Sequence, residues 1–284
     1  MPLPLIHYLY SSGLPHWALV TGASDGIGRA LCSELSMRGF NVVLHGRNEA
    51  KLVRAREQLE AAQPNRHFRT VTADATVFSK EDIDRIVAKV ADIPLTILIN
   101  NVGGTAPLSS NFKHFQDTTS EEIQALYSLN VQFPLQLTRA VLPQLQKQQK
   151  PTLVLTCGSQ AYIGQAYVAA YSGCKGALHA WNRGLATEQR EAHSKVEILE
   201  VVIGGTYTQQ LQKDAQFSAG LFMPTAETMA RAILARVGHG HRSVTPYFWH
   251  FVQTGSLYAL LPASVADSVI ANILKPSVEA KRSD

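Results

Sequence analysis

Trp17-Ala-Leu-Val-Thr-Gly-Ala-Ser-Asp-Gly-Ile-Gly28 is the stretch that decides the fold. A short apolar run, a cluster of turn-forming residues and a helical pattern over 26–38 follow one another without a gap, and read as strand, tight turn and helix N-terminus. Glycines in such a turn let the backbone bend sharply and come close to a diphosphate, while the free N–H groups of the first helical turn face the anion. The spacing is Gly-x3-Gly-x-Gly, not the commoner Gly-x-Gly-x2-Gly. A glycine-rich turn can also serve packing alone. Its position directly after the first strand favours dinucleotide binding through Thr21, Gly22, Ser24, Asp25, Gly26, Ile27 and Gly28.

Outward from this stretch, apolar runs at 41–45, 68–73, 95–100, 153–156 and 196–202 alternate with helical patterns at 48–62, 79–91, 120–148 and 168–191. The helix over 120–148 is expected to bend near Pro134 and Pro143. Strands that are apolar throughout belong in a parallel sheet covered on both faces. Right-handed crossovers then give a doubly wound sheet, so the fold class is α/β: a single Rossmann domain of three layers, helix on sheet on helix. Within 1–284, residues 17–210 form its core and 204–224 a substrate lid. Residues 225–284 form C-terminal helices and an aromatic, proline-interrupted tail, with Thr225 capping a helix to 237.

Composition bounds the partners. The 284 residues are 45% hydrophobic and only 17% charged, which suits one packed domain and excludes extended disorder. A net charge of +4, spread along the chain, fits an anionic cofactor and is too weak to argue for nucleic acid. Cys32, Cys157 and Cys174 are odd in number and widely spaced, which argues for reduced core thiols and against a disulfide framework or a metal site. The start, with Leu3-Pro4-Leu5-Ile6, lacks the basic and long apolar regions of a secretory signal, and no run of about 18 apolar residues exists to span a bilayer. A cytoplasmic location is expected. The aromatic stretch 244–261 is interrupted by Pro246, His250, Gln253, Thr254 and Gly255, and leaves peripheral membrane contact open.

Five further groups carry chemistry. Where an NAD site places an acid after the second strand, this chain has Arg47, and an arginine there suits the 2′-phosphate of NADP(H). Tyr171-Ser-Gly-Cys-Lys175 puts a phenol and an ammonium one turn apart on a helix face, where the cation favours the phenolate and readies the tyrosine for general acid/base work. Ser159, just past the fifth strand, can donate a hydrogen bond to a carbonyl oxygen. Asn100-Asn101-Val102-Gly103 closes the fourth strand, and Asn130 is a mid-helix amide that needs a water or a main-chain carbonyl if buried. Taken singly, each has a bland reading as a turn, surface or packing residue.

Together they resemble the short-chain dehydrogenase/reductase superfamily, over about 17–210 and in the family's chain order. Thr21-Gly22-x3-Gly26-x-Gly28 resembles its cofactor loop, Asn100-Asn101-Val102-Gly103 its Asn-Asn-Ala-Gly motif, and Asn130, Ser159, Tyr171 and Lys175 its catalytic tetrad. The resemblance implies that Tyr171 donates a proton to a ketone oxygen held by Ser159 while the nicotinamide gives a hydride. Lys175 would bond the nicotinamide ribose, and Asn130 would organise a water. Asn101 and Gly103 would lie against the cofactor, Asp74 against the adenine and Thr208 against the carboxamide. It also implies a homodimer or homotetramer paired through the helices near 120–148 and 168–191.

Three positions depart from the family pattern. Ser159 precedes Tyr171 by twelve residues, where thirteen is common; Gly158-Ser159 replaces a Ser-Ser pair; and Ile203-Gly204 replaces Pro-Gly, which should loosen that turn. Within the superfamily the chain is most similar to the very-long-chain 3-oxoacyl-CoA reductase and 17β-hydroxysteroid dehydrogenase type 12 group, which allows a peripheral place on the endoplasmic reticulum membrane. A stand-alone reductase of a biosynthetic pathway fits the same motifs. Leu211, Phe217, Leu221, Phe222 and Met223 in the lid, with Val102, Tyr162 and Tyr167, suggest an apolar ketone or alcohol substrate. The competing readings are a catalytically silent NADP(H)-binding regulator and a membrane-associated interaction protein on the same scaffold.

Overall fold

The structure is a computed structural model that describes residues 5, 8–9, 16–213 and 217–279. Leu3, Pro4 and Ile6 of the N-terminal reading, residues 214–216 of the expected lid and the last five residues of the tail lie outside them. The strands are β1 Trp17–Val20, β2 Asn41–Gly46, β3 Phe68–Thr72, β4 Leu95–Asn100, β5 Thr152–Ser159, β6 Val196–Ile203 and β7 Ser243–Val244. The helices are α1 Gly26–Met37, α2 Glu49–Ala62, α3 Lys80–Val90, α4 Ser120–Tyr127, α5 Phe133–Gln146, α6 Ala169–Glu191, α7 Ala226–Leu234, α8 Phe248–Leu260 and α9 Ala263–Glu279. All seven strands run parallel, in the order β3-β2-β1-β4-β5-β6-β7.

Every residue of β1, β2 and β4 is buried, as a sheet covered on both faces requires. On one face Leu31 and Leu35 of α1, Leu52 and Leu59 of α2 and Met229 and Ile233 of α7 pack together. On the other, Ile83 and Ile86 of α3, Leu137 and Val141 of α5 and Ala186 of α6 do so. This is the three-layer Rossmann arrangement expected from the sequence. The order of strands reverses between β1 and β4, so the loops leaving their C-terminal ends diverge and open a crevice there.

Helix starts follow the side chains available. Asp25 caps α1 through the Gly26 N–H at 2.7 Å, Asn48 caps α2 through the Lys51 N–H at 2.9 Å, and Ser79 with Asp82, and Thr119 with Glu122, form reciprocal capping boxes. Thr225 caps α7 as anticipated, although that helix stops at Leu234.

Three elements differ from the sequence reading. The helix expected over 120–148 is broken into α4, a π turn at Ser128–Gln132, and α5. Pro134 sits at the start of α5; it has no N–H to return to the carbonyl of residue 130, so the wider turn takes up the break. Pro143 lies inside α5. The two-residue strand β7 was not foreseen. Residues 248–279, read as part of the C-terminal helices and proline-interrupted aromatic tail, form the helices α8 and α9 around Leu261 and Pro262. Among the described residues no helix is long and apolar enough to cross a membrane.

Candidate active site

The glycine loop is clamped to the end of β4. The Thr21 hydroxyl donates to the Ile99 carbonyl at 3.2 Å and accepts from the N–H groups of Asn101 and Val102 at 2.9 and 3.0 Å. The Asn101 side-chain amide donates to the Thr21 carbonyl at 2.9 Å. Gly28 is enforced by this closeness: a β-carbon there would collide with the Gly22 carbonyl and stand 2.5 Å from the Asn101 amide nitrogen. Gly22 itself has φ of 65°, a value most other residues avoid. Ile27 packs on the core, and the Ser24 hydroxyl approaches Gly46 at the end of β2. Thr208 reaches the same loop from beyond β6, its methyl 3.3 Å from where a β-carbon on Gly26 would lie.

Two charges frame the outer end of the crevice. Arg47 follows β2, is exposed, and makes no ion pair or side-chain hydrogen bond among the described residues. Asp25 is spoken for, capping α1 and lying 3.7 Å from Lys51. Asp74, after β3, accepts from both the N–H and the hydroxyl of Thr76 at 2.9 and 2.7 Å, which leaves its other oxygen for a ligand.

Three of the four residues expected to form the tetrad, Asn130, Tyr171 and Lys175, lie together at the inner end, and Ser159 ends β5 two residues past Cys157. Lys175 is 4% exposed; its ammonium donates to the Cys157 carbonyl at 3.2 Å and stands 5.6 Å from the centre of the Tyr171 ring. No carboxylate pairs with it among the described residues. Asn130 lies in the π turn. Its amide nitrogen donates to the carbonyls of Gly104 and Leu126, each at 3.0 Å, and its oxygen accepts from the Gly104 N–H at 2.9 Å. Gly103 separates Asn130 from Lys175: a β-carbon on it would lie 2.9 Å from the Asn130 oxygen and 3.1 Å from the Lys175 nitrogen. Ser159 accepts from the Ala161 N–H at 3.2 Å, and its own hydroxyl proton remains unused. Tyr171 is half-buried beside a small notch lined by Leu108, Lys113, Tyr167 and Val168.

A pair that sequence reasoning missed stands behind Ser159. One turn past Lys175 on α6, the His179 ring nitrogen Nδ1 lies 2.6 Å from Glu200 Oε2, which also accepts from the Ser243 hydroxyl at 2.9 Å. Glu200 is 1% exposed, and among the described residues its Oε1 has no hydrogen-bond partner. Tyr162 stacks on His179 with ring centres 4.4 Å apart. Gly158 was the available signal, since the family's serine at this position has no room beside Glu200. At the turn after β6, where the family's proline is missing, the Gly204 N–H donates to His250 Nδ1 at 3.2 Å.

The expected lid is only partly a cover. Gln210 and Asn111 exchange side-chain and main-chain hydrogen bonds at 2.7 and 3.3 Å, and Phe217 meets Phe112 at 5.9 Å between ring centres. Leu221 and Phe222, by contrast, face solvent over about half their surface. Burial holds the Cys157 thiol up at about 12 and raises that of Cys174, so neither is a nucleophile. No cluster of metal-ligating side chains occurs among the described residues.

Residues 16–218 match the family model described as short chain dehydrogenase. The chain is 31% identical over 260 residues to a very-long-chain 3-oxoacyl-CoA reductase of Meyerozyma guilliermondii, covering 87% of this chain and 74% of that protein. It is 34% identical over 245 residues to one of Eremothecium gossypii, covering 82% and 67%. Among solved structures, a 7β-hydroxysteroid dehydrogenase superposes with a TM-score of 0.77 at 20% identity, over 90% of this chain and 97% of that one. A short chain dehydrogenase of Escherichia coli complexed with NADPH gives 0.72 at 24% identity, over 82% and 96%.

Proposed function

The chain belongs to the short-chain dehydrogenase family of oxidoreductases, and on that premise we propose that it reduces the ketone of an apolar substrate, a 3-oxoacyl thioester first among them, with NADPH. The observation that carries this reading is Lys175. A buried ammonium without a counter-charge is costly, and a fold keeps one where a ligand needs it.

Two features support a dinucleotide in the crevice: no side chain fits at Gly28, and Arg47, exposed directly after β2, makes no ion pair among the described residues. Bound there, NADPH supplies the hydride. Arg47 would pair with the 2′-phosphate, Asp74 would accept from the adenine, Thr208 from the carboxamide, and Lys175 would donate to the nicotinamide ribose. Asn101 and Gly103 form the floor. Ser159 donates its free hydroxyl proton to the substrate oxygen and polarises it as charge develops. Tyr171 delivers the proton, and the Lys175 ammonium stabilises the negative charge left on the phenol oxygen. Asn130 holds Gly104 through a pair of main-chain hydrogen bonds and flanks Gly103 on the side opposite Lys175.

The test is turnover of purified protein with NADPH and a series of 3-oxoacyl-CoA esters, steroid ketones and small ketones, beside Tyr171→Phe. NADPH binding without turnover on any of them would favour the silent regulator.

Two further readings rest on specific surfaces. Between 248 and 274 the only acid or base besides His250 is Asp267, to which the Tyr258 hydroxyl donates at 2.9 Å. Phe248, Phe251, Leu260 and Val265 are exposed along α8 and the start of α9. We assign this face to peripheral contact with the cytoplasmic side of the endoplasmic reticulum membrane, checked by liposome flotation. A groove of about 390 Å³ between α4 and α6, lined by Phe115, Ile123, Tyr127 and Cys174, is assigned to pairing of two copies, checked by sedimentation.

A further inference from the structure

We propose that His250, on a helix outside the part of the chain that matches the family model, is a positioning residue that fixes both walls of the reaction site. His250 is fully buried. The Gly204 N–H can only donate, so His250 Nδ1, 3.2 Å away, accepts. That sets the tautomer: the ring proton is on Nε2 and is donated to the Phe222 carbonyl at 3.1 Å. The His250 main-chain carbonyl accepts in turn from the Gln160 side-chain amide at 3.1 Å, and Tyr247 closes over the ring edge-on at 5.1 Å.

One residue of α8 thus holds three segments. Gln160 is next in the chain to Ser159, Gly204 opens the turn that carries Thr206 and Thr208, and Phe222 closes the segment that begins at that turn. The glycine lacks a preceding proline, so nothing in the local sequence stiffens the backbone there. The imidazole supplies from outside the constraint that a pyrrolidine ring would have supplied from within. Burial lowers the His250 pKa, which keeps the ring in the neutral form this geometry needs.

The inference rests on the reductase reading only for its kinetic readout. Three variants of the full chain separate the two bonds. In His250→Asn the side-chain oxygen takes the place of Nδ1 and can accept from Gly204. In His250→Gln the amide takes the place of Nε2, keeps the Phe222 carbonyl and leaves Gly204 unbonded. His250→Ala loses both. The expected result, with NADPH and a 3-oxoacyl-CoA ester, is a kcat lower by about tenfold in the Gln and Ala variants and restored to within about threefold in Asn. Hydrogen exchange at the Gly204 amide should rise about fivefold in Gln and Ala but not in Asn, with exchange in β1 and β4 unchanged. An Asn variant as impaired as Ala in exchange, or exchange at Gly204 indifferent to all three, overturns the proposal. Should the wild-type protein turn over no ketone, the exchange pattern still decides the role of His250, and only the reductase reading falls.

Discussion

Glu200 and Gly158 face each other so closely that residue 158 has no room for a side chain: a β-carbon there would stand 2.5 Å from Glu200 Oε1. The pair shapes the end of β5, where Ser159 begins its turn. Gly158→Ser, which restores the family's usual residue, should therefore lower activity rather than raise it. The expected cost is about 1–3 kcal/mol in stability from overpacking and about tenfold or more in kcat/KM as Ser159 shifts. A double-mutant cycle with Glu200→Ala should show that most of the stability cost depends on the carboxylate. Equal costs in both backgrounds would mean the contact does not matter.

Lys175 predicts a split between function and stability. Lys175→Met removes a buried ammonium that pairs with no carboxylate among the described residues. Turnover should fall by at least about a hundredfold, while the melting temperature should hold or rise. Thermal unfolding beside steady-state kinetics checks both halves. Tyr171→Phe, which spares the charge, should lose turnover by about a hundredfold or more and keep NADPH affinity within about twofold.

Arg47 sets the choice of nucleotide. Arg47→Leu should weaken NADPH binding by roughly ten- to a hundredfold, the worth of one charge-assisted contact, and leave NADH binding unchanged. Titration by nicotinamide fluorescence separates the two. Equal weakening of both nucleotides would show that Arg47 acts on the shape of the loop and not on the 2′-phosphate.

His45 gives the pH limb. It is fully buried in β2 and stacks on Phe133 with ring centres 5.0 Å apart. Burial pushes its pKa down to about 4. The unfolded chain binds a proton near pH 6.5, so below that value the unfolded state holds more protons than the folded one. Stability is then full above about pH 6.5 and is lost as pH falls toward 4, by about 3 kcal/mol from this residue. Burial lowers the His250 pKa as well, with the same sign. Urea unfolding as a function of pH should show the limb, and His45→Leu should flatten it.

What was legible in the sequence were elements whose cause is local. β1 is apolar throughout, and β2 and β4 carry apolar runs, because both of their faces are covered, and the glycine loop announces its turn. Tyr171 and Lys175 could be paired because one helical turn separates them. The broken helix was only half visible. Pro134 marks a disturbance, but the sequence does not say that the missing hydrogen bond is absorbed by a π turn that aims Asn130 at Gly104. Glu200, His179 and His250 were invisible for another reason. They come from different strands and helices, and their meaning depends on neighbours 20 to 90 positions away, such as Gly158 and Gln160. The clues were absences, a serine and a proline that the family pattern led one to expect, and an absence names no partner.

Cys157 shows how sparingly this site draws on its side chains. The main-chain oxygen of that residue receives the Lys175 ammonium, while its sulfur sits in the core beneath α1 and α7, protonated at any physiological pH. Thiol-directed reagents and mild oxidants should pass the reaction centre by, although a cysteine stands at its heart. The position asks the genome for a peptide bond in the right place and a modest apolar filler, and alanine or valine would answer as well.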